Sequence, residues 1–468
     1  MRKKRPLPLL RDVRITGVAS EGKAVARYDD MVIFIPFMAP GDIADIRVTK
    51  KRKKYLEGSI AELKTPSDFR TDPFCGHFGT CGGCKWQHLN YDQQLSFKQQ
   101  QIIDHFTRIG KVGFPDPEPI LPSGKTKYYR NKLEFTFTSR RWLTEEEVKS
   151  GDEISEFRAA GFHIPGRFDK VLDIYYCYLQ REPSNSIRLA IKNYAIANDL
   201  EFFDLLKQKG FLRTLIIRTS SSGELMVILV FFREEKEARE SLLKWLSANF
   251  PGITSLMYVI NPKGNDTIGD LEVNCFSGRD HIIEEMEGLR YRVGPKSFYQ
   301  TNSEQAYELY KVVRDFAIPQ KHEVIYDLYT GTGTIASFIA NQCKSVMGFE
   351  YVPEAVEDAR FNAAFNNIEN TVFYSGDIKD LLTPEFVADI GKPHTIITDP
   401  PRTGMHQEVI KRILEISPAK IVYISCNSAT QARDIMLLDA GYRIERMRAV
   451  DMFPHTHHVE NVALLLKR

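Results

Sequence analysis

The sequence predicts an α/β multidomain protein. An N-terminal OB-like β-barrel is expected over residues 1–66, a central α+β region over 67–290 and a C-terminal Rossmann-like domain over 291–468. Three observations predict this. Short polar–apolar alternations, separated by turn residues, fill the first segment. Three cysteines crowd into ten residues just after it. In the last third, short apolar runs alternate with helical stretches, which is the signature of a parallel, doubly wound sheet.

A chain of 468 residues is too long for one ordinary domain. Its hydrophobic content of 43% and charged content of 26% are those of a soluble globular protein. A formal charge of +2 does not by itself mark a nucleic-acid binder, but the charge is uneven. Basic runs at 2–5 and 50–54 fall in one small segment and look like a phosphate-facing patch. The longest apolar run, 225–232, has eight residues, too few to span a membrane. No signal peptide is expected from the N-terminal pattern. Seven unevenly spaced cysteines argue against a secreted disulfide framework and for the reducing cytoplasm.

Within residues 11–63 the strand candidates include 13–15, 31–35 and 43–48, punctuated by Glu21-Gly22-Lys23 and Pro40-Gly41-Asp42. The pattern resembles the TRAM domain, an OB-like RNA-binding module; a purely structural barrel fits the residues equally well. Next stands Cys75-Gly-His-Phe-Gly-Thr-Cys81-Gly-Gly-Cys84. Thiolates this dense read as metal ligands. Cys177, in the intervening region, is the better candidate for a fourth ligand, ahead of Cys275. His77 or His88 are possible substitutes. The spacing suits an iron–sulfur cluster, with zinc as the rival.

Residues 91–110 read as a helix stopped by Gly110, with Leu95, Ile102, Phe106 and Ile109 on one face. The run Tyr128-Tyr129-Arg130-Asn131-Lys132 interleaves aromatics with bases, as an RNA clamp would, ahead of a strand at 133–137. A plain amphipathic strand is the alternative. Segments 215–219 and 225–232 pair as a hairpin, and 234–249 forms a charged helix.

Parallel strands are expected at 324–329, 345–350, 372–377, 394–399 and 420–425. After the first comes Asp327-Leu-Tyr-Thr-Gly331-Thr-Gly333-Thr-Ile-Ala336, a glycine turn between strand and helix. Glu350 ends the next strand, where a carboxylate can hold ribose hydroxyls. Asp377 and Asp399 end the third and fourth. These features fit NAD as well as S-adenosylmethionine. The stiff corner Asp399-Pro400-Pro401-Arg402 is the habit of nucleobase methyltransferases and favours the latter. Cys426 follows at the end of strand 420–425, where ligands bind in open α/β sheets. Glu460 opens the final apolar strand. A thiol, an acid and a methyl-donor site suit methylation at uracil C5. The thiolate adds to C6, C5 accepts the methyl group, and the acid takes the C5 proton. Arg402 or polar strand-end groups would help the thiol ionise.

Together these motifs resemble the RNA 5-methyluridine (uracil-C5) methyltransferase family, TRAM type with an iron–sulfur cluster. The resemblance covers nearly the whole chain. It rests on the barrel, the cysteine set, Ser297-Phe-Tyr-Gln300-Thr-Asn302, the glycine turn, Asp-Pro-Pro-Arg, Ser-Cys-Asn and His-His-Val-Glu460. It implies a class I methyltransferase fold. It assigns Gln300, Tyr329, Gly331, Gly333, Glu350, Asp377 and Asp399 to S-adenosylmethionine. Cys426 becomes the nucleophile and Glu460 the proton acceptor. Cys75, Cys81, Cys84 and Cys177 hold a [4Fe-4S] cluster, and helix 91–110 packs on the catalytic domain. Thr334 departs from the Asn that many members carry there. The implied partner is RNA, ribosomal ahead of transfer RNA, acted on by a monomer that flips the target base. Three rivals are an amino-group methyltransferase, which would need no cysteine, a non-catalytic RNA-binding protein and an NAD dehydrogenase. A metal role for His455, His457 and His458 is disfavoured against a structural or base-orienting one.

Overall fold

The computed structural model describes residues 7–468; the basic run at 2–5 lies outside them. Strands Leu9–Val18, Ala24–Tyr28, Met31–Ile35, Ile43–Lys51 and Tyr55–Thr65 close into a five-stranded barrel. Alternation puts Val13, Ile15, Ala26, Ile33, Ile35 and Ile46 inside it. Lys50 and Lys51, at the end of the fourth strand, are exposed, and so is the tip at 52–54.

The central region is built on a seven-stranded sheet. Strands Leu212–Thr219 and Leu225–Phe231 pair antiparallel around the turn at 220–223. Leu225–Phe231 is apolar on each face because both faces are covered. Val227, Leu229 and Phe231 pack under helices Ser184–Ala197 and Lys236–Asn249. Met226, Ile228 and Val230 join the core of the C-terminal domain, with Val313, Phe316 and Ile339. The two domains thus share one apolar core.

The C-terminal sheet has eight strands, and five of them fall where the apolar runs predict them. Strands Val324–Leu328, Ser345–Glu350, Thr371–Ser375, Thr395–Thr398 and Lys420–Ser425 are mutually parallel. The expectation of an all-parallel sheet needs correcting. Glu460–Lys467 runs antiparallel between Lys420–Ser425 and Tyr442–Val450. A short loop after Val450 returns the chain at once, so no crossover helix intervenes. The eighth strand, Glu118–Leu121, comes from far upstream, from the segment assigned above to the central region, and pairs with Tyr442–Val450.

Helix Tyr91–His105 packs on this sheet as well; its last turn widens into a π-helical turn at Phe106–Gly110. The buried face differs from the one periodicity marks out. Gln94, Lys98, Ile102 and Phe106 point inward at i, i+4 spacing, whereas Ile109 is exposed. Lys98 meets Asp451 at 2.6 Å, and Tyr91 donates to the same carboxylate at 2.8 Å. Polar residues occupy the buried stripe because their partners come from residues 451–455.

Candidate active site

The sheet edge at the carboxyl ends of the parallel strands gathers the functional side chains. Antiparallel register sets Ser425 opposite Asn461 and Ile424 opposite Val462. Cys426 follows Ser425 and Glu460 precedes Asn461, and the Glu460 carboxyl lies near enough to act on the Cys426 thiol. A strand that ran the other way would have carried Glu460 to the opposite edge. Thr398 pairs with Tyr423, so Asp399 leaves its strand on the other side of Cys426.

Cys426 is half-buried, while Glu460 is buried. Burial, then the nearby Glu460 and Asp399, pushes the Cys426 thiol up to about 11; Arg402 opposes the shift. Burial, then Asp399, pushes Glu460 up to about 8, again against Arg402. Burial and Asp327 raise Asp399 to about 7. The carboxyls crowd one low-dielectric edge, so each disfavours ionisation of the others.

Two residues to which the sequence assigns no role hold this edge in shape. Asn427 caps helix Ser428–Leu438 by accepting from Ala429 N, and its amide donates to the Arg402 carbonyl at 2.9 Å. An Asn directly before a helical run is a legible cap signal. Asp434 accepts from Tyr423 Oη at 2.6 Å and from Met405 N at 2.7 Å, fixing the loop after Asp399 to strand Lys420–Ser425. A buried mid-helix aspartate gives no such signal.

The glycine turn lies two strands away. Gly331 (φ 56°) and Gly333 (φ 73°) both take the left-handed conformation. Gly331 N donates to Glu350 Oε2 at 3.1 Å, and space above Gly331 is open. Tyr329, between strand and turn, is also left-handed. Thr334 opens helix Thr334–Ala340, its hydroxyl 3.2 Å from that of Thr332. Asp377 caps helix Ile378–Leu381 and pairs with Lys379 at 2.7 Å, which holds its carboxyl below the usual range. Gln300 precedes Asn302, the cap of helix Ser303–Ala317, and its carbonyl accepts from Asn131. Tyr129 is buried against Pro454 and unavailable to stack on a base; Arg130 lies over the Phe453 ring. The expected RNA clamp at 128–132 is therefore largely an interdomain seam.

Cys75, Cys81, Cys84 and Cys177 line one pocket of about 390 Å³, counting space open to solvent. As they stand, no three donors among the described residues close on a point in the manner of a single-ion site. Burial pushes Cys81 and Cys84 up to about 12 and Cys177 to about 11. His77 lines the same pocket, but its Nε2 accepts from Tyr175 N; His88 contacts the Met38 carbonyl instead. Cys275 is elsewhere and exposed. His455 is bound by Gln94 and by the backbone of Lys85 and Trp86, a structural role.

A family model described as tRNA (uracil-5-)-methyltransferase matches residues 187–468, more than half of the chain. The chain belongs to this family. It is an RNA (uracil-5-)-methyltransferase, and a TRAM-domain model matches residues 10–61. Among similar proteins, an uncharacterized RNA methyltransferase of Bacteroides thetaiotaomicron is 55% identical over 96% of this chain and 99% of its own. One of Porphyromonas gingivalis is 56% identical over 97% and 99%. The crystal structure of Pyrococcus abyssi tRNA (uracil-54, C5)-methyltransferase in complex with S-adenosyl-L-homocysteine superposes with a TM-score of 0.76. It is 29% identical and covers 98% of this chain and 99% of its own.

Proposed function

We propose that this methyltransferase modifies uridine C5 in RNA through Cys426 and Glu460. The observation that supports the assignment is the antiparallel pairing of Ser425 with Asn461, which brings the adjoining Cys426 and Glu460 to the same strand ends, with Glu460 near enough to raise the Cys426 thiol. Cys426 Sγ, as thiolate, bonds to uracil C6, and electron density moves to C5. S-adenosylmethionine, when bound, supplies the methyl group. Glu460, as carboxylate, removes the C5 proton; the C6–S bond then breaks and Cys426 leaves as thiolate. Gln300, Tyr329, Gly331, Gly333, Glu350, Asp377 and Asp399 hold the donor. The open backbone at Gly331 and the Glu350 carboxylate beside it support this reading. A similar protein of known structure binds the demethylated form of the donor.

Cys75, Cys81, Cys84 and Cys177 suit a [4Fe-4S] cluster. Four thiols around one pocket, with His77 and His88 otherwise engaged, support it. The barrel (1–66) and central region (67–290) hold RNA around the flipped base, outside the catalytic part (291–468). Ribosomal RNA is the proposed substrate, on the resemblance of the cysteine set. A tRNA substrate is the second reading, favoured by the Pyrococcus abyssi protein.

Wild-type protein incubated with S-adenosylmethionine and 5-fluorouridine-substituted RNA is expected to form a denaturation-resistant adduct that Cys426→Ala does not form. No adduct with wild type would sink the proposal. Mapping 5-methyluridine in ribosomal and transfer RNA, with and without the protein, separates the two substrates. Iron and sulfide analysis of anaerobically purified protein separates the cluster from zinc.

A further inference from the structure

Two cations, Arg402 and Lys85, stand near the histidine pair His457 and His458, and the bond-making steps leave all four unused. Arg402 stands first. Its carbonyl accepts from Asn427 Nδ2 at 2.9 Å and Thr430 Oγ1 at 3.2 Å, which pins the residue beside Cys426 while its side chain stays exposed. His457 and His458 come next, their rings 4.1 Å apart and tilted by 38°. Lys85 follows, directly after the cysteine loop. Its backbone N donates to the His455 carbonyl at 2.9 Å, and its Nζ reaches the Glu21 carbonyl of the barrel at 3.4 Å.

Neither Lys85 nor Arg402 forms an ion pair among the described residues. The carboxylates within reach are otherwise placed: Glu21 is exposed and 3.8 Å from Lys23, and Glu460 is buried. Burial, reinforced by Lys85, Lys98 and Arg402 and, for His458, first by His457, keeps both imidazoles neutral. Each ring is therefore an N–H donor without a charge to be matched, and His457 Nδ1 is buried with no partner. Two unmatched cations flanking two neutral donors are complementary to a phosphodiester strand, not to a protein or a membrane surface.

We infer that Lys85, Arg402, His457 and His458 form a phosphate track for the single strand flanking the target uridine, with Lys85 contributed by the cysteine loop. This rests on the proposed function and adds a role for that loop: it delivers a substrate contact to the catalytic edge. Lys85 is then a positioning residue rather than a catalytic one.

The test uses the full chain and a fluorescein-labelled oligouridylate. Binding is titrated between about 50 and 200 mM salt for wild type, Lys85→Gln and Lys85→Arg. One lost phosphate contact lowers the slope of log affinity against log salt by about 0.7 for single strands. Lys85→Gln is expected to show that loss with unchanged S-adenosylmethionine affinity, and Lys85→Arg to restore the slope. An unchanged slope in Lys85→Gln, or a loss confined to methyl-donor binding, would overturn the inference. Failure of wild type to form the fluorouridine adduct, with the slope change present, would instead count against the proposed reaction alone.

Discussion

Lys98 Nζ lies 2.6 Å from Asp451 Oδ1, and neither side chain has any exposed surface. The pair joins helix Tyr91–His105 to the segment that leads into Glu460, and Lys98 also donates to the Phe453 carbonyl at 3.0 Å. Removing one partner strands a buried charge, which costs about 3–5 kcal/mol. Lys98→Met is therefore expected to lower the stability measured by urea denaturation by that amount. A Lys98→Met, Asp451→Asn double variant should recover part of it. A neutral single variant would show that the contact contributes nothing.

Glu460→Gln should separate methyl transfer from release. The Cys426 thiol remains, so C6 attack and methylation proceed, while the C5 proton stays in place. The expected result is a methylated RNA–protein adduct that survives denaturing gels with ordinary, unfluorinated RNA. Free 5-methyluridine formed at the wild-type rate would remove Glu460 from the reaction.

The pH dependence has a defined sign. Glu460 accepts a proton only when ionised, and its acid is pushed up to about 8. The thiol is pushed up to about 11, so its reactive form also increases with pH. Single-turnover rates are expected to rise through about pH 6–9 rather than peak near neutrality. Stability runs the opposite way. A carboxyl whose folded value exceeds its unfolded one adds stability below about 4.5, and that contribution is lost as pH rises through about 8. In the absence of methyl donor, wild type should lose stability relative to Glu460→Gln across that window. A constant difference between the two proteins would contradict the shift.

The two turn glycines should respond differently to a methyl group. At Gly333 an added Cβ would lie 2.9 Å from Ala359 Cβ and 3.0 Å from the Phe373 ring; at Gly331 nothing stands within 4 Å. Both substitutions carry the left-handed penalty of about 1–2 kcal/mol. Gly333→Ala is expected to cost distinctly more on denaturation. Gly331→Ala should chiefly weaken S-adenosylmethionine binding, about tenfold or more by calorimetry, because its methyl enters the open space proposed for the donor. Equal stability losses would refute the contrast.

The five parallel strands were legible because each is a short run of β-formers, and Val324–Leu328, Thr395–Thr398 and Lys420–Ser425 are buried on both faces. Cys426 and Asp399 were legible because they end such runs. Glu460 could be named from its motif, but its position depends on the reversed direction of Glu460–Lys467, and strand direction leaves no mark in an apolar run. The buried stripe of helix Tyr91–His105 was misread for a related reason. Lys98 and Gln94 look like solvated residues until Asp451 and His455 stand beside them. Asp434 and strand Glu118–Leu121 were likewise invisible, since their partners are distant in sequence.

Strand Glu118–Leu121 has a consequence for biosynthesis. Among the described residues its only neighbour in the sheet is Tyr442–Val450. At translation speeds of about 5–20 residues per second, more than 300 residues separate the two by roughly 16–65 s. During that interval on the ribosome, the helix before the strand exposes Ile102 and Phe106 and carries Lys98 without its counter-charge. The nascent N-terminal third is thus an expected client of chaperones until the last two strands emerge.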